Sequence, residues 1–442
     1  MATKLVNPNA AGIDVASNEH VVAVPEDKSK DSVRTFKGFT RDLHQLAKWL
    51  LSCKVETIAM ESTGVYWFDL YTILLDYGFE VYLVNAHHVK NVPGRKSDVS
   101  DARWLQQLHT FGLLRASFQP DNLTRSLRNH VRQRKSIVQQ MSRQTQHMQK
   151  AFDQMNIKLN NVIRDLNGTT GTKIITAILK GERDPKKLAQ HRDRRIKASE
   201  QTLIKSLEGN WREEQVFNLQ LAYDHYIFLQ KQLKQCDAES EKIIKKMTSG
   251  NSPKSRTNKV QKSKNNPDFD VAQYLHAALG IDVTQIYGIK EVTALTIFSE
   301  TGANLKEKFP TEKQFLSWVN VVPNNKITGG KVISSKVKKK KNVAGQAFRD
   351  GASALWRAKN PIGDYLRRKK AKSGAKKAVV ATARKIAAIY YKMVTEKVEF
   401  NPLEISKGKE QYLQKRLKQL EMAKEQTQML LSDYQQQNSL VI

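Results

Sequence analysis

Between residues 10 and 118, short apolar runs alternate with stretches of helical spacing. Ile13–Val15, His20–Val24 and Ser32–Phe36 read as three consecutive strands joined by polar turns. Leu43, Leu46 and Leu50 predict a helix from about Thr40 to Ser52, and Thr57–Glu61 a fourth strand. A helix over Val65–Tyr77, a strand over Glu80–Asn85 and a helix carrying Ala102, Leu105, Leu108 and Phe111 complete the run. The order β-β-β-α-β-α-β-α is that of a ribonuclease-H-like domain, assigned to residues 1–118.

After Pro120 the period changes. Leu123, Leu127, Val131, Val138, Met141, Met148, Phe152, Met155, Leu159, Val162 and Leu166 follow a 4/3 spacing that Arg134 and Thr145 interrupt. A second such run extends from Val216 to Met247. Together they predict an antiparallel helical arm or coiled coil over 119–247, either bundling protomers or closing as a hairpin within one chain. Residues 248–267 are polar, rich in Lys, Asn and Ser, and read as a flexible basic linker. A mainly helical domain is expected over 268–398, with helices at Glu312–Val319, Gly345–Lys359 and Lys376–Val394. Its Ile286-Tyr-Gly-Ile-Lys290 turn resembles a helix–hairpin–helix, although a plain glycine turn is the commoner explanation. Residues 399–442 read as a short amphipathic helix with a Gln-rich end.

Charge separates these parts. The whole chain carries +31, which calls for a polyanionic partner. Residues 1–118 hold 13 Lys/Arg against 13 Asp/Glu, whereas residues 331–377 hold 16 Lys/Arg against Asp350 and Asp364 alone. The first part is a balanced globular fold with an acidic centre, and the later segment a nucleic-acid grip. The only cysteines are Cys53 and Cys236, so neither a disulfide framework nor a Cys/His metal spacing is expected. No signal-peptide core and no run near 18 apolar residues is present, which predicts a soluble protein of a reducing compartment.

The candidate chemistry lies in four acids at element boundaries. Asp98 and Asp101 are three residues apart at a helix start, which places their Cβ atoms about 5–6 Å apart on one face. Like charges that close need a cation beside them. Asp14 sits in an apolar strand, and Glu61 ends another before a glycine turn. Acids there are costly to bury unless paired or metal-bound, and oxygen-only ligands suit Mg²⁺ (or Mn²⁺) in phosphoryl transfer. An Asp-x-x-Asp at a helix start is by itself more often a cap than a ligand. Arg95, Lys96 and Arg103 beside the acids are either a solvated basic turn or phosphate contacts.

The pieces GIDVA, AMESTGVYW, VNAHHVKNVPGRKSDVSDARWLQQL and GIKEVTALTI…FLSWVNVVPNNKITGGKVISS resemble the IS-one-ten family of insertion-sequence transposases, the DEDD transposases. The resemblance spans Ala11 to about Val394. It implies a RuvC-like N-terminal domain, a coiled-coil arm and a C-terminal transposase domain carrying a nucleophile loop. It also implies metal binding by Asp14, Glu61, Asp98 and Asp101, and a cytoplasmic, nucleoid-associated enzyme. The family's nucleophilic serine precedes Gly-Gly; this chain has Thr328 there, with Ser334 and Ser335 as second choices. Threonine offers the same hydroxyl on a stiffer side chain; without the resemblance, a turn-capping role would be preferred. Phosphate contacts are expected from Lys331, Lys338, Lys339, Lys340, Lys341, Arg367 and Arg368. The implied partners are donor and target DNA, a structured non-coding (bridge) RNA, and further protomers in a dimer or tetramer. A metal-dependent junction nuclease using only the acids is the alternative.

Overall fold

The computed structural model describes residues 5–85, 101–248, 265–339 and 342–439. Arg95, Lys96, Asp98, Lys340, Lys341 and most of the expected basic linker lie outside these residues. The chain divides into two units, Met1–Gln119 and Pro120–Ile442.

The first unit is built on a mixed sheet. Its strands are β1 (Ala10–Val15), β2 (Glu19–Ala23), β3 (Val33–Lys37), β4 (Thr57–Glu61) and β5 (Glu80–Val84), in the order β3-β2-β1-β4-β5. β2 runs antiparallel to both β1 and β3, and β1, β4 and β5 are parallel. This topology is compatible with the ribonuclease-H-like expectation. Helices α1 (Thr40–Ser52) and α2 (Trp67–Asp76) cover one face, where Ile13, Val15, Ile58, Met60 and Leu83 pack with Leu46, Leu50, Leu70 and Leu74. The other face carries α3 (Asp101–Thr110), packed through Leu105 and Leu108 on Ala59 and Val84. The alternation of strand side chains sorts the residues between these two layers.

In the second unit, α4 (Asn122–Gln154) starts where Asp121 accepts hydrogen bonds from the Thr124 backbone N–H (2.8 Å) and hydroxyl (2.7 Å). It pairs with α5 (Glu213–Met247), and contacts at both ends fix the direction. The Asn210 N–H reaches the Met155 carbonyl, and the Cys236 thiol reaches that of His130. The pair is therefore antiparallel within one chain. The helix expected to run on to Leu166 stops at Gln154, because Asn156 adopts φ +54°; Ile157, Leu159 and Leu166 still join the arm's core. The two interruptions of the heptad pattern each have a partner. Arg134 Nε donates to Asp237 at 2.6 Å in a buried pair, and Thr145 Oγ1 accepts from Asn167 Nδ2 at 2.7 Å.

Beyond the arm, the helices used below are α6 (Val271–Leu279), α7 (Glu291–Thr301), α8 (Glu312–Trp318), α9 (Val343–Ser353), α10 (Pro361–Ser373), α11 (Ala375–Glu396) and α12 (Pro402–Ser439). Two of these depart from the sequence expectation: α10 was not foreseen under its dense charge, and α12 is 38 residues rather than a short tail. The arm is tied to α7 by Arg132, whose guanidinium donates to both oxygens of the buried Glu300 carboxylate at 2.8 and 2.9 Å. Gly288 in the supposed helix–hairpin–helix turn has a packing reason. A Cβ there would lie 2.6 Å from the Gly351 carbonyl oxygen of α9.

Candidate active site

The first cluster of candidate residues is set by strand register. Ile13 pairs with Met60 across parallel β1 and β4, so the next residues, Asp14 and Glu61, stand side by side at the strand ends, about 4.8 Å apart along the sheet. Both belong to the α3 face. Asp14 alternates with Gly12, whose added Cβ would strike the Ala102 carbonyl oxygen at 2.2 Å, and Glu61 pairs with Val84, which packs beneath α3. The direction of α3 completes the arrangement. The backbone N–H groups of Val6 and Asn7, ahead of β1, reach the Thr110 carbonyl at the helix C-terminus. The helix therefore runs opposite to β1, and Asp101 at its first position comes to the Asp14 end. Thr63 Oγ1 donates to Glu61 Oε1 at 3.2 Å. Gly12, which lets the helix lie directly on the strand, was missed from the sequence; a lone glycine inside an apolar strand was its signal.

The second cluster is a hairpin, β6 (Lys326–Thr328) and β7 (Lys331–Ser334). Thr328 pairs with Lys331 around Gly329 (φ +53°) and Gly330 (φ +74°), the two left-handed residues of a tight type I′ turn. Alternation puts Lys326, Thr328 and Lys331 on one face and Ile327 with Val332 on the other. A bulge leaves Ile333 as the extra residue. Thr328 is exposed, as are Ser335, Lys338 and Lys339, and Ser334 is half-buried with its Oγ accepting from the Lys336 N–H at 3.4 Å. The stem is rooted by Asn320 Nδ2, which donates to the Lys338 carbonyl at 2.9 Å. Lys326, one alternation before the hydroxyl, was not singled out in the sequence.

Two family models match the chain in the order of its two candidate clusters. The DEDD transposase model of the IS110 group covers residues 11–157, taking in Asp14, Glu61, Asp98 and Asp101. The model described as "Transposase IS116/IS110/IS902 family" covers residues 282–367, taking in Thr328. The chain belongs to the IS110 family of transposases. No curated protein matches it.

In this transposase the donor chemistry of the first cluster fits a hard divalent cation, since it offers only carboxylate oxygens. Among the described residues no three Asp, Glu, His or Cys groups converge closely enough to hold an ion, and Asp98, the fourth acid, lies outside them. His20 does not belong to the cluster. It pairs with Val15 and so faces the α1 side, buried, with its imidazole pKa lowered by burial.

The basic residues divide into structural and available ones. Arg103 is used within the first unit, donating to Glu26 Oε1 and Ser32 Oγ at 2.8 Å each. Arg367 is likewise engaged, holding the Trp356 and Ala358 carbonyls (3.0 and 2.9 Å) and the Asp364 carboxylate, which fastens α10 to the end of α9. These contacts orient both guanidinium groups and leave each side chain partly exposed, at 34% and 39%. Arg368, which the sequence did single out, belongs to a larger basic cluster around Tyr365 on α10. Lys369 Nζ and Lys385 Nζ lie 5.7 and 5.1 Å from the ring centroid, with Arg368 and Arg384 beside them. Burial, then repulsion from Arg368, lowers the Lys385 pKa. Cations crowded in this way gain when an anion joins them. The signal was helical spacing between α10 and α11, hidden because α10 was not recognised. Among the described residues no helix is long and apolar enough to cross a membrane.

Proposed function

We propose that this transposase performs site-specific strand exchange on DNA, with Thr328 as nucleophile and the four acids as holders of a divalent cation. The observation that supports this most is that Asp14, Glu61 and Asp101 lie toward one end of the sheet, on one face, in a family named for such acids. Asp14, Glu61, Asp98 and Asp101 would hold Mg²⁺ or Mn²⁺, which supplies charge neutralisation at the scissile phosphate. Thr328 Oγ1 attacks phosphorus, forming an Oγ1–P bond and breaking the P–O3′ bond, and the hydroxyl proton ends on the released 3′ oxygen. A 3′-hydroxyl of the partner strand then reverses the step and frees Thr328. Lys326 and Lys331, on the same hairpin face, hold the phosphate against the hydroxyl.

The Arg368, Lys369, Arg384 and Lys385 cluster, with Lys338 and Lys339, would grip backbone phosphates of DNA or of a guiding structured RNA. The reading includes that RNA partner and a working dimer or tetramer. The test is strand exchange with and without Mg²⁺ in the wild type and in Asp14→Asn. Loss on the order of 10²–10³-fold in the variant, together with loss of the Mg²⁺-induced rise in melting temperature, is expected. Unchanged exchange and unchanged metal stabilisation would make the acids structural. Cleavage that needs the acids but not the Thr328 hydroxyl would favour a junction nuclease.

A further inference from the structure

The C-terminal helix α12 lies beyond both family-matched segments, which end at residue 367. Thirty-eight residues make a rod of about 57 Å. Near its root the chain is anchored, with the Phe400 ring 5.1 Å from that of Tyr287 and the helix packed on α10. Further out the support ends, and every residue from Leu413 to Ser432 is exposed. A helix draws most of its stability from burying an apolar stripe, and this one displays such a stripe to solvent.

The stripe has coiled-coil spacing. Leu413, Leu417, Leu420, Lys424, Thr427 and Leu431 follow in steps of 4, 3, 4, 3 and 4, and the four leucines are each more than half exposed. With Leu413 and Leu420 at d, Leu417, Lys424 and Leu431 fall at a. The polar layer is tolerable, because Thr427 satisfies its hydroxyl on the Ala423 carbonyl of its own helix at 2.8 Å and Lys424 can extend its ammonium to the edge. A single charged a position costs stability and fixes register and strand number.

Charge chooses the occupant. Lys415, Arg416, Lys418 and Lys424 are interspersed with Glu421 and Glu425, unlike the one-signed 331–377 segment, so the helix is a poor polyanion or acidic-lipid ligand. Arg416 stands at g and Glu421 at the next e. A parallel, in-register pair of identical helices brings Arg416 against the partner's Glu421, twice by symmetry, whereas an antiparallel pair sets g against g. We infer that α12 is a self-association module, pairing with α12 of a second copy as a parallel two-stranded coiled coil. This goes beyond the strand-exchange chemistry and does not depend on it.

Disulfide trapping in the full-length chain tests the seam, since native Cys53 and Cys236 are buried. Leu417→Cys and Leu431→Cys, each at a, should give a covalent dimer under mild oxidation, and Lys418→Cys on the outer face should not. In the Leu417→Cys background, Arg416→Glu should weaken dimer formation roughly three- to tenfold, and adding Glu421→Arg should restore it. These side chains are exposed, so circular dichroism should be unchanged throughout. Absence of the Leu417→Cys dimer, equal cross-linking at Lys418→Cys, or failure of the charge swap to restore pairing would overturn the inference. Capture of the helix by vesicles or by nucleic acid in place of a second copy would overturn it too.

Discussion

The acid cluster and the Thr328 hairpin serve one proposed reaction, yet the chain supports them in opposite ways. Asp14 and Glu61 are placed by a five-stranded sheet with helices on both faces, and Asp101 by a helix lying on a glycine of the central strand. Thr328 stands on a two-stranded ribbon with solvent on both sides, held by a tight turn and a few stem contacts. Repelling carboxylates need a scaffold that gives them no room to separate. A nucleophile that must reach a phosphate needs exposure, and a two-stranded ribbon alone is only marginally stable. Changes near the acids should therefore move stability and activity together, while changes at the hairpin should move activity alone.

Gly12→Ala should have the largest effect. Its Cβ would meet the Ala102 carbonyl oxygen at 2.2 Å and the Gln106 nitrogen at 2.3 Å, both backbone atoms that cannot swing away. Separating α3 from β1 should cost about 1–3 kcal/mol in denaturant unfolding. The same displacement of Asp101 should lower strand exchange on the order of 10²-fold. Normal stability in this variant would break the comparison on the scaffold side. Gly330→Ala should act next. Nothing lies within 4 Å of the added Cβ, but φ is +74°, so the strain of about 1–2 kcal/mol stays in the turn. Exchange should fall roughly tenfold with the melting temperature unchanged; a lowered melting temperature would show that the hairpin is part of the core.

The third expected effect, on stability and not on exchange, is a pH dependence confined to the first unit. His109 is buried, bonds through Nε2 to Thr57 Oγ1 at 2.9 Å, and has its pKa pushed down to about 4 by desolvation. Below about 6.5 the unfolded chain takes up a proton that the folded one refuses until about 4. Stability is thus full above 6.5 and declines as pH falls, by about 2 kcal/mol at pH 5. His109→Gln should flatten that decline in melts of the full-length chain, and an unflattened profile would assign the acid sensitivity elsewhere.

Much of this arrangement was legible in the sequence because it rests on local pattern. Alternation marked the strands that carry Asp14 and Glu61, and the leucine spacing marked α1 over Thr40–Ser52. What stayed hidden depends on contacts distant in sequence. Arg134 and Thr145 look like faults in a heptad until Asp237 and Asn167 arrive from elsewhere. The partners that orient Arg103 and Arg367, among them Glu26, Asp364 and two backbone carbonyls, could not be read from local spacing either. In α10, charge density masked a helix, and with it the cluster around Tyr365. The Thr328 turn was readable from Gly-Gly, but the role of its hydroxyl was suggested by the family resemblance rather than by the spacing.

The central claim, a hydroxyl on the exposed hairpin attacking DNA, is tested most directly by trapping the covalent intermediate. Full-length protein, Mg²⁺, labelled donor and target DNA and the proposed guide RNA would be resolved on a denaturing protein gel beside Thr328→Ala and Thr328→Ser. The account predicts a protease-sensitive protein–DNA band that is absent with alanine and persists or grows with serine. Cleaved DNA without an adduct, or an adduct surviving in the alanine variant, would contradict it.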